Sequence, residues 1–400
     1  MLAPASRSVF LKPAFIGLLS TNFVLGLPSA LVVPFASIWA TKQIGMSPGT
    51  LGLFMTINSL SAIVLSTLIA RWSDSHVTRR TLLIGGSFAG ALGNLGYALV
   101  HDPVWLTVIG SSLLAVASIN FAQLFAHVRD ELGRPEHEGA NVPLVMGVLR
   151  ACYALAWTVG PLVGARIMSR FGYAGIFQSA SLLLVLFSLF VLLFVAHRPH
   201  APAAPGEARP RASWGLDRPV VVLNALAFAL MFASLTLNTM NLPLLLTQKL
   251  GGAEAQVGLA FSVSPLFEML FMVGFGHIAA RGHQYAVIRA GMLAAIAYFV
   301  ALGFVSGPAQ VYPLQILNAA AVAVATSVAI PFFQDLLPRQ AGVSTSLYSN
   351  ALKVGGLIGF MTFGLLASRV GNAGLPFVCA GLSATSLVLV VLAHPFAKRA

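Results

Sequence analysis

The chain has 400 residues, 58% of them apolar and only 8% charged, with 23 Lys and Arg against 11 Asp and Glu for a net charge of +12. Soluble domains carry about 25% charged residues, so this composition excludes an ordinary water-soluble enzyme and a disordered chain. The positive charge forms no nucleic-acid-binding cluster. It is spaced between long apolar runs, where it reads as a topology signal.

A helix needs ~20 apolar residues to cross the hydrocarbon of a bilayer. Runs of that kind predict an all-α membrane protein with twelve transmembrane helices at 14–41, 49–70, 82–100, 104–127, 142–168, 174–197, 219–247, 253–280, 286–304, 309–335, 341–368 and 373–396. The first run follows Arg7 and Lys12 but is too long for a signal peptide. With both termini cytoplasmic, the outer side holds only Lys42, Arg166, Arg170, Lys249 and Arg369. Most other Lys and Arg then lie inside, and Arg150 and Lys353 fall within spans. That bias supports an even span count with both ends in the cytoplasm.

Between spans six and seven, Arg198–Pro219 holds Pro199, Pro202, Pro205, Pro210 and Pro219, which prevent a stable helix. It predicts a cytoplasmic linker, 198–218, joining two six-helix bundles at 1–197 and 219–400. The halves look related. Ser169-Arg170-Phe171-Gly172-Tyr173-Ala174-Gly175 follows span five, and Ser368-Arg369-Val370-Gly371-Asn372-Ala373-Gly374 follows span eleven. Gly52-Leu53 and Gly258-Leu259 open spans two and eight. Such likeness is expected of a transporter built from two parallel repeats.

Cys152 and Cys379 lie inside apolar runs and read as small core residues. No nucleophile with its base, phosphate loop or metal-ligand cluster is present, so neither an enzyme nor a cofactor or metal is expected. Without a phosphate loop, an ion or solute gradient must supply the energy.

Two motifs sharpen the reading. Ala70-Arg71-Trp72-Ser73-Asp74-Ser75-His76-Val77-Thr78-Arg79-Arg80 follows span two, where an Asp and paired Arg in a tight turn can cap the turn and latch one conformation. It resembles the loop 2–3 signature of the major facilitator superfamily, although Ala70 replaces the opening Gly, Ser75 replaces Arg, and Asp74 stands one residue farther from Arg79. Ala156-Trp157-Thr158-Val159-Gly160-Pro161-Leu162-Val163-Gly164 in span five combines Gly-Pro with close-packing glycines. It resembles the span-five signature of exporters in that superfamily. With Gly52–Asn58, Trp72–Ser75, Gln123–Ala126 and Val148–Ala151, the first half is similar to the bacterial sugar efflux transporter (SET) family. That resemblance implies two six-helix bundles around a central cavity and proton-driven export of small sugars and glycosides. It also implies a monomer in the bacterial inner membrane. A multidrug or other metabolite exporter of the same superfamily is the alternative. A membrane-embedded enzyme or assembly factor is the more distant one.

Ionisable groups at bilayer depth are functional by default. Arg150, Glu268 and Lys353 lie at roughly 13–18 Å from the cytoplasmic helix ends by the 1.5 Å rise. Glu268 is the one carboxyl group near the midplane. Burial favours its neutral form and a neighbouring cation its charged form, which suits alternating protonation. The resemblance places spans five and eight along the seam between halves, so Arg150 and Glu268 are expected to face each other there. Glu268, Arg150, Lys353 and Asp74 are thus the expected coupling and gating residues. Amides match sugar hydroxyls, and spans one and seven line the cavity in the superfamily. Asn22, Asn58, Asn238 and Asn241 are therefore the expected substrate ligands, with Trp157 and Tyr348 offering ring faces to a pyranose.

Overall fold

Prolines set several helix starts in the computed structural model, because a ring without an N–H fits the first turn. Pro13, Pro48, Pro103 and Pro219 each stand at the first residue of a helix. The structure describes residues 13–132, 142–196, 218–337 and 340–397. Helix α1 (Pro13–Ile38) runs into a π-turn at Trp39–Gln43, and α2 (Pro48–His76) and α3 (Arg79–Leu99) follow. Helix α4 (Pro103–Leu132) contains a π-segment at Gly110–Leu114. The run Val142–Phe194 comprises α5 (142–171) and α6 (173–194). Helix α7 (Pro219–Leu244) ends in a π-turn at Leu245–Lys249, then come α8 (Glu254–Ile278) and α9 (Gln284–Gly303). Helix α10 (Pro308–Leu336) carries a π-segment at Val324–Val328. The run Ala341–Ala397 comprises α11 (341–370) and α12 (372–397).

Among the described residues, nine helical runs are long and apolar enough to cross a bilayer, and three of them reach 50 residues or more. Each of those three breaks at one glycine with positive φ: Gly172, Gly282 and Gly371. The chain reverses at each break. Val145 and Leu149 share a core cluster with Phe187 and Val191, yet a continuous helix would hold Leu149 and Phe187 about 57 Å apart. Ser264 bonds Asn318, and Tyr298 bonds the neighbouring Gln315. Gly355 packs on Phe232 while Ser383 bonds Ser234. Divided at these glycines, the runs are consistent with twelve spans, whose limits fall within a few residues of those expected. The exceptions are α2, which continues six residues farther, to His76, and α4, which continues five farther, to Leu132.

The internal repeat is structural. Gly172 (φ 65, ψ −168) and Gly371 (φ 68, ψ 172) occupy one conformation that is essentially reserved to glycine. Thr41-Lys42-Gln43-Ile44-Gly45 and Thr247-Gln248-Lys249-Leu250-Gly251 form matching π-turns. In each, the Thr hydroxyl donates to the carbonyl four residues back at 2.8 Å, and the glycine has positive φ. Gly26 meets Ala156 and Ala30 meets Gly160 where α1 packs on α5. Phe232 meets Gly355 and Thr236 meets Gly359 where α7 packs on α11. The Gly-Pro motif of span five is thus a close-packing surface for α1.

Two compact units result: Met1–Val33 with Ile57–Pro205, and Pro34–Thr56 with Gly206–Ala400. The sequence division at the linker differs in the placement of 34–56, which is held to α7, α8 and α11 by contacts described below. The first unit buries Phe15, Leu18, Leu83, Leu124, Leu149 and Phe187. The second buries Phe228, Phe332, Phe333 and Tyr348 in an aromatic cluster. Large apolar side chains at Leu182, Leu186, Leu189 and Leu193 stay exposed along α6, which suits contact with lipid.

Candidate functional site

A polar ladder runs through the second unit between α8 and α10. Asn318 Nδ2 donates to Ser264 Oγ at 3.0 Å. One helical turn along α8, Glu268 Oε1 accepts from the Thr326 hydroxyl at 3.2 Å. Local sequence explains the geometry. Pro265, inside α8, removes an N–H from the helix ladder next to Ser264. Thr326 lies in the π-segment of α10, and single π-turns recur at functional sites. Thr326 also donates to Val322 O at 2.8 Å, so its hydroxyl is shared between its own helix and the carboxylate.

The ladder continues sideways. Asn318 Nδ2 also reaches Gln315 Oε1 at 3.2 Å, and Gln315 Nε2 donates to Tyr298 Oη at 3.1 Å. Asn238 Nδ2 donates to the same Tyr298 oxygen at 3.3 Å. Four helices therefore share one buried network.

The expected ligands fall into several environments. Asn238 belongs to this network. Asn22 is fully buried in the first unit and donates to Leu149 O at 2.6 Å, tying α1 to α5. Asn58 donates to Tyr97 Oη at 3.2 Å, beside Gly110. Asn241 donates to Asn372 O at 2.9 Å, at the α11–α12 reversal. Trp157 is half-buried and shares a side-chain hydrogen bond with Tyr153. The Tyr348 ring packs edge-on against Phe232 and Phe333 at centroid distances of 5.8 and 6.5 Å. Arg150 is exposed on α5 in the first unit. Lys353 is half-buried on α11, in the same unit as Glu268.

The motif after span two differs from its expected form. Residues 70–76 complete the last turns of α2, and the connection is only Val77-Thr78. Thr78 caps α3, its side chain accepting from Thr81 N, so the expected capping role of Asp74 is taken by a hydroxyl. The Asp74 side chain lies outside the described residues. Arg79 instead grips α4, donating to Asp130 Oδ2 at 2.8 Å and Gln123 Oε1 at 3.0 Å. Arg80 donates to Leu192 O at 2.6 Å, near the end of α6.

A second polar cluster gathers around 34–56. Lys42 Nζ lies 3.4 Å from Glu254 Oε1, and Gln248 Nε2 lies 3.4 Å from Thr41 Oγ1. Asn372 Nδ2 donates to Gln248 Oε1 at 3.0 Å. The backbones of Gly52 and Gly364 cross at the foot of this cluster. Sequence reasoning missed it, although the repeated Thr41–Gly45 and Thr247–Gly251 pentamers were the available signal.

Comparison with known proteins agrees with this architecture. The family model for the Major Facilitator Superfamily matches residues 18–236 and 224–399. The chain is 33% identical over 378 residues to a putative sugar efflux transporter of Deinococcus radiodurans, covering 93% of this chain and 95% of that protein. It is 28% identical to sugar efflux transporter A of Dickeya chrysanthemi, covering 86% of each. Among solved structures it is similar to the peptide transporter POT in complex with alafosfalin, with a TM-score of 0.78 at 12% identity. That match covers 96% of this chain and 95% of the other.

Proposed function

Since the chain belongs to the major facilitator superfamily, we propose that it is a secondary active exporter of small sugars or glycosides, driven by protons moving the opposite way. It is a multi-pass membrane transporter and not an enzyme. The observation that carries the sugar reading is likeness over 95% of a relative named for sugar efflux. A buried interior rich in amides and hydroxyls supports it, because these groups both donate and accept.

In this reading Glu268 carries the proton, and its hydroxyl partner on a π-segment supports that role. Arg150 and Lys353 supply the cations of the cycle, and Asp74 biases the gate. Asn22, Asn58, Asn238 and Asn241 serve the substrate, with Trp157 and Tyr348 as ring surfaces. The two bundles, 1–197 and 219–400, work as a monomer in the bacterial inner membrane with both termini and the 198–218 linker in the cytoplasm. The Lys and Arg bias supports that orientation.

Counterflow of labelled sugars in proteoliposomes tests the function. The expected result is accumulation of labelled sugar or glycoside, displaced by an unlabelled glycoside and indifferent to a lipophilic cation. Displacement by the cation alone would turn the reading to multidrug export. Flux of neither would remove the transport reading altogether.

A further inference from the structure

We propose that Asn318, whose partner Ser264 lies one helical turn from Glu268, reads a sugar hydroxyl, and that its Oδ1 is the acceptor for it. The inference rests on the sugar-export reading and adds to it a substrate contact on α10. Three observations carry it. Asn318 is 9% exposed, and its amide nitrogen is committed to both Ser264 and Gln315. Its Oδ1 is buried and takes no hydrogen bond. A buried acceptor left without a donor is costly unless a ligand or water completes it. No hydrogen bond of the surrounding network reaches that oxygen. Gln315 gives its amide to Tyr298, and Asn238 gives its amide to Tyr298 as well.

The arrangement is therefore polarised. Both N–H groups of the Asn318 amide are committed within the network, and its acceptor is what remains. A hydroxyl-bearing solute offers the missing donor, whereas a lipophilic cation without hydroxyls does not. Position adds meaning. Ser264 and Glu268 are four residues apart on α8, and Asn318 and Thr326 are eight apart on α10. The first pair lies one turn apart on α8 and the second two turns apart on α10. Along the helices, the rise separates Ser264 from Glu268 by about 6 Å and Asn318 from Thr326 by about 12 Å. Gln315 and Tyr298 act as positioning residues, since they hold the Asn318 amide plane without offering a free acceptor themselves.

The test is sugar exchange in proteoliposomes by the full-length protein, compared with Asn318→Leu and Asn318→Asp, using a sugar and its monodeoxy analogues. In the parent, one deoxy analogue should bind roughly 5- to 150-fold more weakly than the sugar. In Asn318→Leu the sugar itself should fall to the level of that analogue, with the maximal exchange rate retained and the deoxy penalty gone. Asn318→Asp keeps the acceptor and should keep the penalty, so it decides the matter even where the Leu variant does not fold. A folded Asn318→Leu protein with unchanged KM and an intact deoxy penalty would overturn the inference. So would a folded Asn318→Asp protein in which the penalty has disappeared. A parent that exchanges no sugar would instead remove the function proposed above and this contact with it.

Discussion

Gly52, in the first turns of α2, crosses Gly364 of α11 so closely that a Cβ on Gly52 would stand 2.5 Å from the Gly364 Cα and 2.9 Å from Phe360 O. The relation is asymmetric. A Cβ on Gly364 would find Gly52 Cα at 3.2 Å. In the same 34–56 segment Lys42 pairs with Glu254 and Gln248 reaches Thr41.

Gly52→Val should disfavour this packed arrangement by about 1–3 kcal/mol, the usual range for overpacking. Gly364→Ala should cost distinctly less. Cysteines placed at Thr41 and Gln248 report on it: a short crosslinker should join them in the parent and in Gly364→Ala, but poorly in Gly52→Val. Equal crosslinking in all three would show that the crossing does not control the cluster.

Glu268→Gln keeps an acceptor for the Thr326 hydroxyl and so should leave thermal stability close to that of the parent. Without an ionisable group, export driven by a pH gradient should be lost while energy-independent exchange survives. Driven export at the parent rate in a well-folded variant would move proton coupling to another residue. Asp335, bonded to Gln284 at the end of α10, is the next candidate.

Ala at Gly172 or Gly371 forces a side chain into a backbone region essentially confined to glycine, at a cost of about 1–3 kcal/mol each. Both variants should unfold earlier on heating in detergent, by similar amounts, with KM unchanged. Unequal losses would mean that the two reversals are supported differently by their surroundings.

Arg79→Ala should destabilise more than Asp130→Ala. Asp130 is exposed, and such pairs contribute about 0–1 kcal/mol. Arg79 also donates to Gln123, which is buried, and an acceptor left bare costs about 1–3 kcal/mol. Thermal unfolding of the two single variants settles the order.

Asp74→Asn should lower turnover more than substrate affinity, as expected of a residue that biases a gate. Turnover equal to the parent would reduce Asp74 to a topology signal.

Much of the architecture was legible because apolar length and terminal prolines act locally. The twelve runs, the Gly172 and Gly371 heptamers and the close-packing glycines of α5 all rest on short-range pattern. The end of α2 was not legible, because the charged residues 70–76 look like a turn and yet continue the helix to His76. Nor was the capping by Thr78, since an Asp four residues earlier offered the same chemistry. Amides such as Asn22 and Asn241 carry no mark in the sequence that separates a helix-to-carbonyl bond from a ligand contact. Ser264 and Thr326 are ordinary residues until the fold sets them against Asn318 and Glu268. The placement of 34–56 depends on contacts more than 200 residues away in sequence, which no local pattern encodes.

The single-residue turns at Gly172 and Gly371 also fix where the gene tolerates change in length. Each turn is one peptide unit wide, so no loop exists there to absorb an added codon, an epitope tag or a protease recognition sequence. An inserted residue taken up into the helix would rotate the rest of α6 or α12 about its axis by roughly 100°. That would turn Ser181 away from Ala91 O, or Ser386 away from Ala227 O. Reporter insertions at these two reversals should therefore fail as membrane proteins before they can fail as transporters.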